Sequence, residues 1–427
     1  MGSLLGILES ELKNIEGDVS SILDKALDGR EVNVEEGAKL FGVKAGALTL
    51  LLLTADYLRK KSVGDFATFV VNRNINFTNV CVKRCGFCAF SRDHRTEEGY
   101  FLPISEVIRR AKEARAFGAT EVCIQAGLAP SVSGELYPAL VRSIKKEVPE
   151  LHIHAFSPEE VKYGSKRMGV SYKEFLLMLK EAGIGSLPGT SAEILDQRVR
   201  DLISPGRIKV DEWVEIIRTA HLLGIPTTST IMYGHVETDL ERAKHIALIR
   251  EIQKETRGFT EFVPLSLVHW EAPMYTKKLL NVEFRLPTGA DVLRMYAVSR
   301  VMLNGYISNI QVSWVKEGPR FSQIGLLAGA NDMGGTLMNE SISTAAGAAN
   351  GQLVRPKEFI RMATDLNRIP AERSTLYKII HIHSSASPSH PLDSVSNPEE
   401  VFGSYQKLVR ASEHRFINSV NRGVDIA

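Results

Sequence analysis

Short apolar runs of strand length alternate along this chain with amphipathic segments of helix length, and no other feature restricts its fold so strongly. The strand-like runs are residues 69–78, 121–127, 152–157, 183–189, 226–233, 261–268, 309–314 and 332–337. Between them, segments such as 105–117, 172–181, 210–223 and 239–256 repeat apolar residues at spacings of three and four. A helix between two strands carries the chain back to the starting edge, so the strands pair in parallel. Eight such units predict an α/β fold, a (β/α)8 barrel over residues 69–337 with its active site at the C-terminal ends of the strands. Residues 1–68 are expected to form a helical N-terminal extension. Residues 338–427 are expected to be an appendage, helical to Asp365 and then irregular, with 384–389 a surface loop.

Composition limits what the barrel acts on. With 427 residues, 44% of them hydrophobic, the chain can bury a large core. A net charge of +2, with bases and acids interleaved, provides no basic patch for a phosphate backbone, so nucleic acid is not an expected partner. The most apolar stretch, 45–55, falls well short of the roughly 20 residues that span a bilayer and is expected to be a buried helix. Glu9, Glu11, Glu16 and Asp18 near the start are unlike a targeting peptide, so a cytoplasmic protein with no membrane partner is expected.

Three of the four cysteines fall in Cys81-Val82-Lys83-Arg84-Cys85-Gly86-Phe87-Cys88, a loop directly after the first strand. A 4Fe-4S cluster is ordinarily held by four thiolates, and a compact set of three leaves one iron open. Zinc is the competing reading, since it takes four ligands and His94 would complete a Cys3His set. That alternative describes a zinc-stabilised binding module rather than an enzyme. A disulfide is disfavoured, because a chain this large with four cysteines needs no staple. Cys123, within Val122-Cys123-Ile124, is expected to be a buried core thiol.

The pattern C-x3-C-x-aromatic-C resembles the signature of the radical S-adenosylmethionine (SAM) superfamily. The resemblance implies that Cys81, Cys85 and Cys88 hold a 4Fe-4S cluster whose open iron binds SAM, a consumed cosubstrate cleaved to a 5'-deoxyadenosyl radical. Such a radical must be made where substrate is enclosed, and a barrel mouth meets that need. Phe87, Phe90 and Tyr100 either cover the cluster or simply pack. Gln125-Ala126-Gly127, after the second strand, is a side-chain-poor turn that lets backbone approach SAM. His152, His154 and Phe156 share one strand face. Glu193 in Thr190-Ser191-Ala192-Glu193 either accepts hydrogen bonds from SAM or sits in the first turn of a helix capped by Thr190 or Ser191. The hydroxyls of Thr227, Thr228, Ser229 and Thr230 lie on an interior strand and need partners, with ligand or water the expected ones. The glycine-rich run 329–336 lacks the Gly-Lys-Ser/Thr ending of a phosphate loop.

Several motifs narrow the resemblance: Asn74-Ile75-Asn76-Phe77-Thr78-Asn79-Val80-Cys81, His152-Ile153-His154-Ala155-Phe156-Ser157, Gly189-Thr190-Ser191-Ala192-Glu193, Met232-Tyr233-Gly234-His235 and Gln311-Val312-Ser313-Trp314-Val315-Lys316. Over about residues 45–380 they resemble a group that holds the tyrosine-using subunit of deazaflavin (FO) synthase, aminofutalosine synthase and dehypoxanthine futalosine cyclase. Phe262-Val263-Pro264-Leu265-Ser266 and the run 330–338 are most similar to the FO synthase subunit, whereas Ala126 replaces an expected glycine.

This resemblance implies transfer of the 4-hydroxybenzyl group of L-tyrosine to 5-amino-6-(D-ribitylamino)uracil with release of 2-iminoacetate; the futalosine enzymes are the alternative. One cysteine motif in one barrel implies a stand-alone subunit, with a ring-closing second enzyme and an electron donor protein as partners. Gln125, Gly127, Ser157 and Glu193 are the expected SAM contacts. His235, His269 and Asp332 are the expected catalytic side chains, and Asn331 and Thr336 the expected substrate contacts. The tyrosine carboxylate calls for a cation or several donors.

Overall fold

In the computed structural model, residues 17–130, 132–384 and 388–416 are described. The strands are β1 (Phe66–Val70), β2 (Asn72–Ile75), β3 (Glu121–Ile124), β4 (His152–Ala155), β5 (Thr227–Tyr233), β6 (Phe259–Ser266), β7 (Asp332–Gly335), β8 (Ile369–Arg373) and β9 (Ile379–Ile382). β1 and β2 are two halves of one strand interrupted at Val71. β2 pairs in parallel with β3, β3 with β4, β5 with β6, and β1 with β7. Parallel bridges link these ladders at His154↔Ser186, Leu187↔Thr227, Phe262↔Ile310, Gln311↔Asp332 and Arg73↔Met338. Neighbours therefore succeed one another in chain order and return to the first strand, the connectivity of a (β/α)8 barrel.

Two expected strands are reduced to bridge positions. The segment 183–189 forms β-bridges to its neighbours at Ser186 and Leu187 alone among the described residues, because Gly183, Gly185, Pro188 and Gly189 do not sustain a ladder. Segment 309–314 pairs only at Ile310 and Gln311, since Trp314 already begins a helix. The helices lie close to their expected positions at Ile104–Ala116, Tyr172–Ala182, Val210–Leu222 and Asp239–Thr256.

Alternation along the strands divides polar from apolar residues. Asn72 and Asn74, Glu121 and Cys123, His154, Thr228 and Thr230, Glu261 and Gln311 face a cavity inside the barrel. Val71, Val122, Ile124, Ile153, Ile231 and Phe262 are buried in the hydrophobic core instead. A barrel of this type ordinarily fills its interior with branched aliphatic side chains. Here polar and apolar side chains surround a cavity instead, so the centre is a site and the main core is the layer between strands and helices.

The chain beyond residue 338 returns to the barrel. β8 pairs in parallel with β1, Phe66 opposite Ile369 and Phe69 opposite Glu372, and turns back antiparallel into β9. The irregular tail expected after Asp365 is thus a hairpin at the base of the barrel. Of the expected loop 384–389, residues 385–387 lie outside the described residues.

At the other end, helices Gly17–Leu27, Val34–Phe41 and Ala45–Val63 dock on the barrel's outer layer. Arg250 donates to the Val32 carbonyl at 2.6 Å and Arg294 to the Val43 carbonyl at 2.7 Å. Helix Ala45–Val63 buries Leu51, Ala55 and Leu58 but leaves Leu53 64% exposed, so it covers a surface rather than being enclosed as expected. Among the described residues no helix is long and apolar enough to cross a membrane.

Candidate active site

The loop after β2 is fixed at its cysteines by backbone from several other loops. Val82 N donates to Leu128 O at 2.9 Å, Gly86 N to Ile203 O at 2.8 Å, and Met274 N to Gly86 O at 2.7 Å. Gly127 N donates to Thr78 O at 2.8 Å. A Cβ on Gly127 would fall on the Val80 carbonyl, so only glycine allows the two loops to meet.

Cys81, Cys85 and Cys88 are free thiols lining one cavity of about 410 Å³. Burial pushes the Cys85 thiol up to about 12, and the neighbouring Arg207 guanidinium opposes that shift. Arg207 Nη1 lies 3.4 Å from Cys85 Sγ and 3.2 Å from Glu193 Oε1, and its guanidinium covers the Phe87 ring. A permanent cation against Cys85 favours its thiolate form and suits an anionic thiolate-ligated cluster. His94 does not complete a four-ligand set: its Nδ1 is 3.5 Å from Asp93 Oδ1, and it does not line the cavity. Among the described residues no three His, Cys, Asp or Glu side chains converge on a single ion. Cluster thiolates each reach a different iron and do not need such convergence.

Gln125, Gly127, Ser157 and Glu193 line the same cavity. Gln125 Oε1 accepts from the Thr190 hydroxyl at 2.8 Å. Ser157 caps helix Pro158–Met168, and its hydroxyl donates to Glu160 Oε2 at 2.6 Å. Glu160 Oε1 in turn accepts from Ala126 N at 3.0 Å, so this carboxyl braces the Gln125–Gly127 turn. Burial pushes Glu160 up to about 7. Glu193 lies between Arg200 and Arg207, 3.2 Å from each. The expected cap at Thr190 or Ser191 is not formed, because the next helix starts at Gln197 with Asp196 as its cap.

The remaining expected site residues lie elsewhere. Asp332 is the first residue of β7, at the base of the barrel, where it pairs with Arg373. Asn331 Oδ1 accepts from Arg300 and from Ile310 N, and the Thr336 hydroxyl joins Asn72 N and O across the β-seam. These three hold strands together and do not line the cavity. His235 is enclosed beneath residues 285–287, 3.0 Å from both Glu237 and the Met232 carbonyl. His269 turns away at the loop after β6 and packs on Trp270 and Tyr275.

Each of the strand hydroxyls has a protein partner. Thr227 meets His221, Thr228 accepts from Gly189 N, Ser229 donates to Glu261 O, and Thr230 to Gly189 O. His152 and His154 both bond the Ser186 hydroxyl, and only His154 lines the cavity. Cys123 faces the cavity, not the core, and burial pushes its thiol up to about 12. Phe87 and Phe90 line the cavity, whereas Tyr100 is buried behind it, its hydroxyl donating to Asn76 O.

Arg207, Glu159, Glu160, Lys316 and Glu340 also line the site, and the sequence reading had passed over them. Lys316 ends the run Gln311-Val312-Ser313-Trp314-Val315-Lys316, and Arg207 follows Ser204-Pro205-Gly206, but neither signal locates the side chain in space.

Comparison with known proteins agrees with this geometry. Residues 75–249 match the Radical SAM superfamily profile and residues 256–380 the CofH/MqnC C-terminal region. The chain is 48% identical over 369 residues to the 5-amino-6-(D-ribitylamino)uracil--L-tyrosine 4-hydroxyphenyl transferase of Methanothermobacter thermautotrophicus, covering 86% of this chain and 99% of the relative. The protein of that name from Methanocaldococcus jannaschii is 47% identical, with 82% and 98% covered. Among solved structures, methylornithine synthase PylB aligns with a TM-score of 0.62 at 18% identity, covering 82% of this chain and 97% of that one. The hydrogenase maturase HydG from Carboxydothermus hydrogenoformans aligns with a TM-score of 0.66 at 16% identity, covering 87% and 83%. These two likenesses concern the fold alone. The chain belongs to the radical SAM superfamily and, within it, to the family of the 5-amino-6-(D-ribitylamino)uracil--L-tyrosine 4-hydroxyphenyl transferases.

Proposed function

We propose that this protein is a radical SAM transferase of deazaflavin (FO) coenzyme biosynthesis. It cleaves L-tyrosine and transfers the 4-hydroxybenzyl group to 5-amino-6-(D-ribitylamino)uracil, releasing 2-iminoacetate. The observation that carries this reading is near-full-length similarity to transferases of that name, combined with three cysteines that line one cavity inside the barrel. The relatives do not favour the futalosine alternatives.

Cys81, Cys85 and Cys88 would hold a 4Fe-4S cluster, which when bound supplies the electron that cleaves SAM to a 5'-deoxyadenosyl radical. The chain itself binds, orients and excludes water. Arg207 balances the charge of the thiolates, and Glu193, fixed by two arginines, presents carboxylate lone pairs to SAM. Gln125 and Gly127, on the turn braced by Glu160, offer backbone and amide groups beside it, with Ser157 at the same wall. Phe87, Phe90 and Trp314 give the cavity apolar walls that shield a reactive carbon centre. The polar floor of Glu121, His154, Glu261, Gln311 and Arg373 suits a uracil bearing a polyol. In this reading the adduct passes to a ring-closing second enzyme, and an electron donor protein reduces the cluster.

Anaerobic turnover of the iron- and sulfide-reconstituted protein with SAM, reductant and the ribitylaminouracil, with and without L-tyrosine, tests the reading by mass spectrometry. Tyrosine-dependent 5'-deoxyadenosine with a hydroxybenzyl-uracil adduct is expected. A cluster-bearing protein inert to tyrosine would redirect the assignment to the futalosine branch.

A further inference from the structure

Four cationic side chains line the cavity: Lys83, Arg207, Lys316 and Arg373. Three already have carboxylates. Lys83 Nζ lies 3.3 Å from Glu159, Arg207 3.2 Å from Glu193, and Arg373 2.9 Å from Asp332. Lys316, in the short helix Trp314–Glu317, has no ion pair within 4.0 Å and no side-chain hydrogen bond among the described residues. A cation that lines a ligand cavity with no carboxylate at ion-pair distance is placed to meet an anion from the ligand. Lys316 and Cys88 line the same cavity.

A carboxylate faces the same space. Glu340 is buried, lines the cavity and is held by its neighbours: Oε1 accepts from Ser343 N at 2.8 Å, and Oε2 from Thr344 N at 3.2 Å and the Thr344 hydroxyl at 3.3 Å. Carboxylate oxygens so engaged keep lone pairs for further donors. Lys316 and Glu340 feel one another electrostatically yet stand beyond ion-pair distance. A cation and an anion separated across a pocket match the two charged ends of an α-amino acid. The apolar side chains of Trp314, Leu337 and Ile342 line the cavity with them.

We propose that Lys316 and Glu340 form the binding site for the α-amino-acid headgroup of the substrate, Lys316 donating to the α-carboxylate and Glu340 accepting from the α-ammonium. This assignment rests on the tyrosine-cleaving reading above and adds the residues that select an amino acid over an amine or a simple acid.

Equilibrium binding to the cluster-loaded protein with SAM present tests it, measured anaerobically by calorimetry with L-tyrosine, tyramine and 3-(4-hydroxyphenyl)propionate. Lys316→Met removes a half-buried charge that holds no ion pair, so the variant is expected to fold and to load its cluster. It should bind L-tyrosine roughly 10- to 100-fold more weakly, the range for losing one charge-assisted hydrogen bond, while tyramine binds as before. Lys316→Arg should recover part of the loss. Glu340→Gln should weaken tyrosine and tyramine together and leave the propionate unaffected. Unchanged tyrosine affinity in Lys316→Met, or equal losses for tyrosine and tyramine, would overturn the headgroup site while wild-type tyrosine binding keeps the function intact. A wild-type protein that binds no tyrosine would instead overturn the functional reading, and this assignment with it.

Discussion

Arg373 Nη2 donates to Asp332 Oδ1 at 2.9 Å, with both side chains almost wholly removed from solvent. The pair ties β8, which arrives last, to β7, and both strands flank β1. Tyr377, in the turn after β8, donates its hydroxyl to Glu261 of β6. A hairpin from the C-terminal part of the chain therefore contributes Arg373 to the charged floor of the cavity.

Removing Asp332 leaves the buried Arg373 with only the more distant Glu261 carboxylate, 3.7 Å away. Asp332→Ala should destabilise the protein by about 3–5 kcal/mol, measured by denaturant unfolding of the cluster-free protein. A loss under about 1 kcal/mol would mean that water reaches the floor and solvates Arg373.

Gly127 sits where the loops after β2 and β3 touch, and a methyl group there would collide with the Val80 carbonyl. Gly127→Ala should cost roughly 1–3 kcal/mol and displace the cysteine loop, lowering iron and acid-labile sulfide per chain after reconstitution. Full loading of this variant would show that the loop adapts without its contact to the turn.

Charge balance at the thiols points to Arg207. Arg207→Gln should reduce cluster loading at fixed iron and sulfide, with Arg207→Lys intermediate, because the guanidinium lies against Cys85 Sγ. Cys85→Ser should abolish both the cluster and SAM cleavage. SAM cleavage with a full cluster in that variant would contradict its assignment as a ligand.

Acid stability should be governed partly by buried histidines. His245 accepts from Leu195 N at 3.0 Å and meets the Thr230 carbonyl at 2.9 Å, and burial lowers its pKa from 6.5 to about 3. The unfolded chain takes up this proton near pH 6.5, whereas the folded protein does not until about pH 3. Stability therefore falls as pH drops through that window, at up to about 1.4 kcal/mol per pH unit for this group. Unfolding midpoints of wild type and His245→Gln between these limits should show a shallower slope in the variant. Parallel slopes would assign the acid sensitivity to other groups.

Periodicity, spacing and residue type were readable along the chain. They located the helices to within a residue or two at Ile104–Ala116 and Tyr172–Ala182, and the cysteine triad at the first strand end. They did not show which end of a strand a residue occupies. Asp332 belongs to a polar run that reads as a strand terminus, yet it starts β7 and so lies at the floor. Nor did they show β8, because a strand reading Ile369-Pro370-Ala371-Glu372-Arg373 has no local apolar pattern and exists only through its pairing with β1.

By itself the sequence determined the eight-unit parallel architecture and the three thiols at its mouth, because both follow from interactions between residues close in the chain. Tertiary structure decided which polar side chains share the cavity. Arg207 meets Cys85 across 122 positions, Glu160 reaches Ala126 from the next strand's helix, and Lys316 and Glu340 line one cavity from a short helix and a separate loop. Such contacts depend on barrel closure and on the direction each side chain takes from the pleat, and neither is encoded in any single stretch of residues.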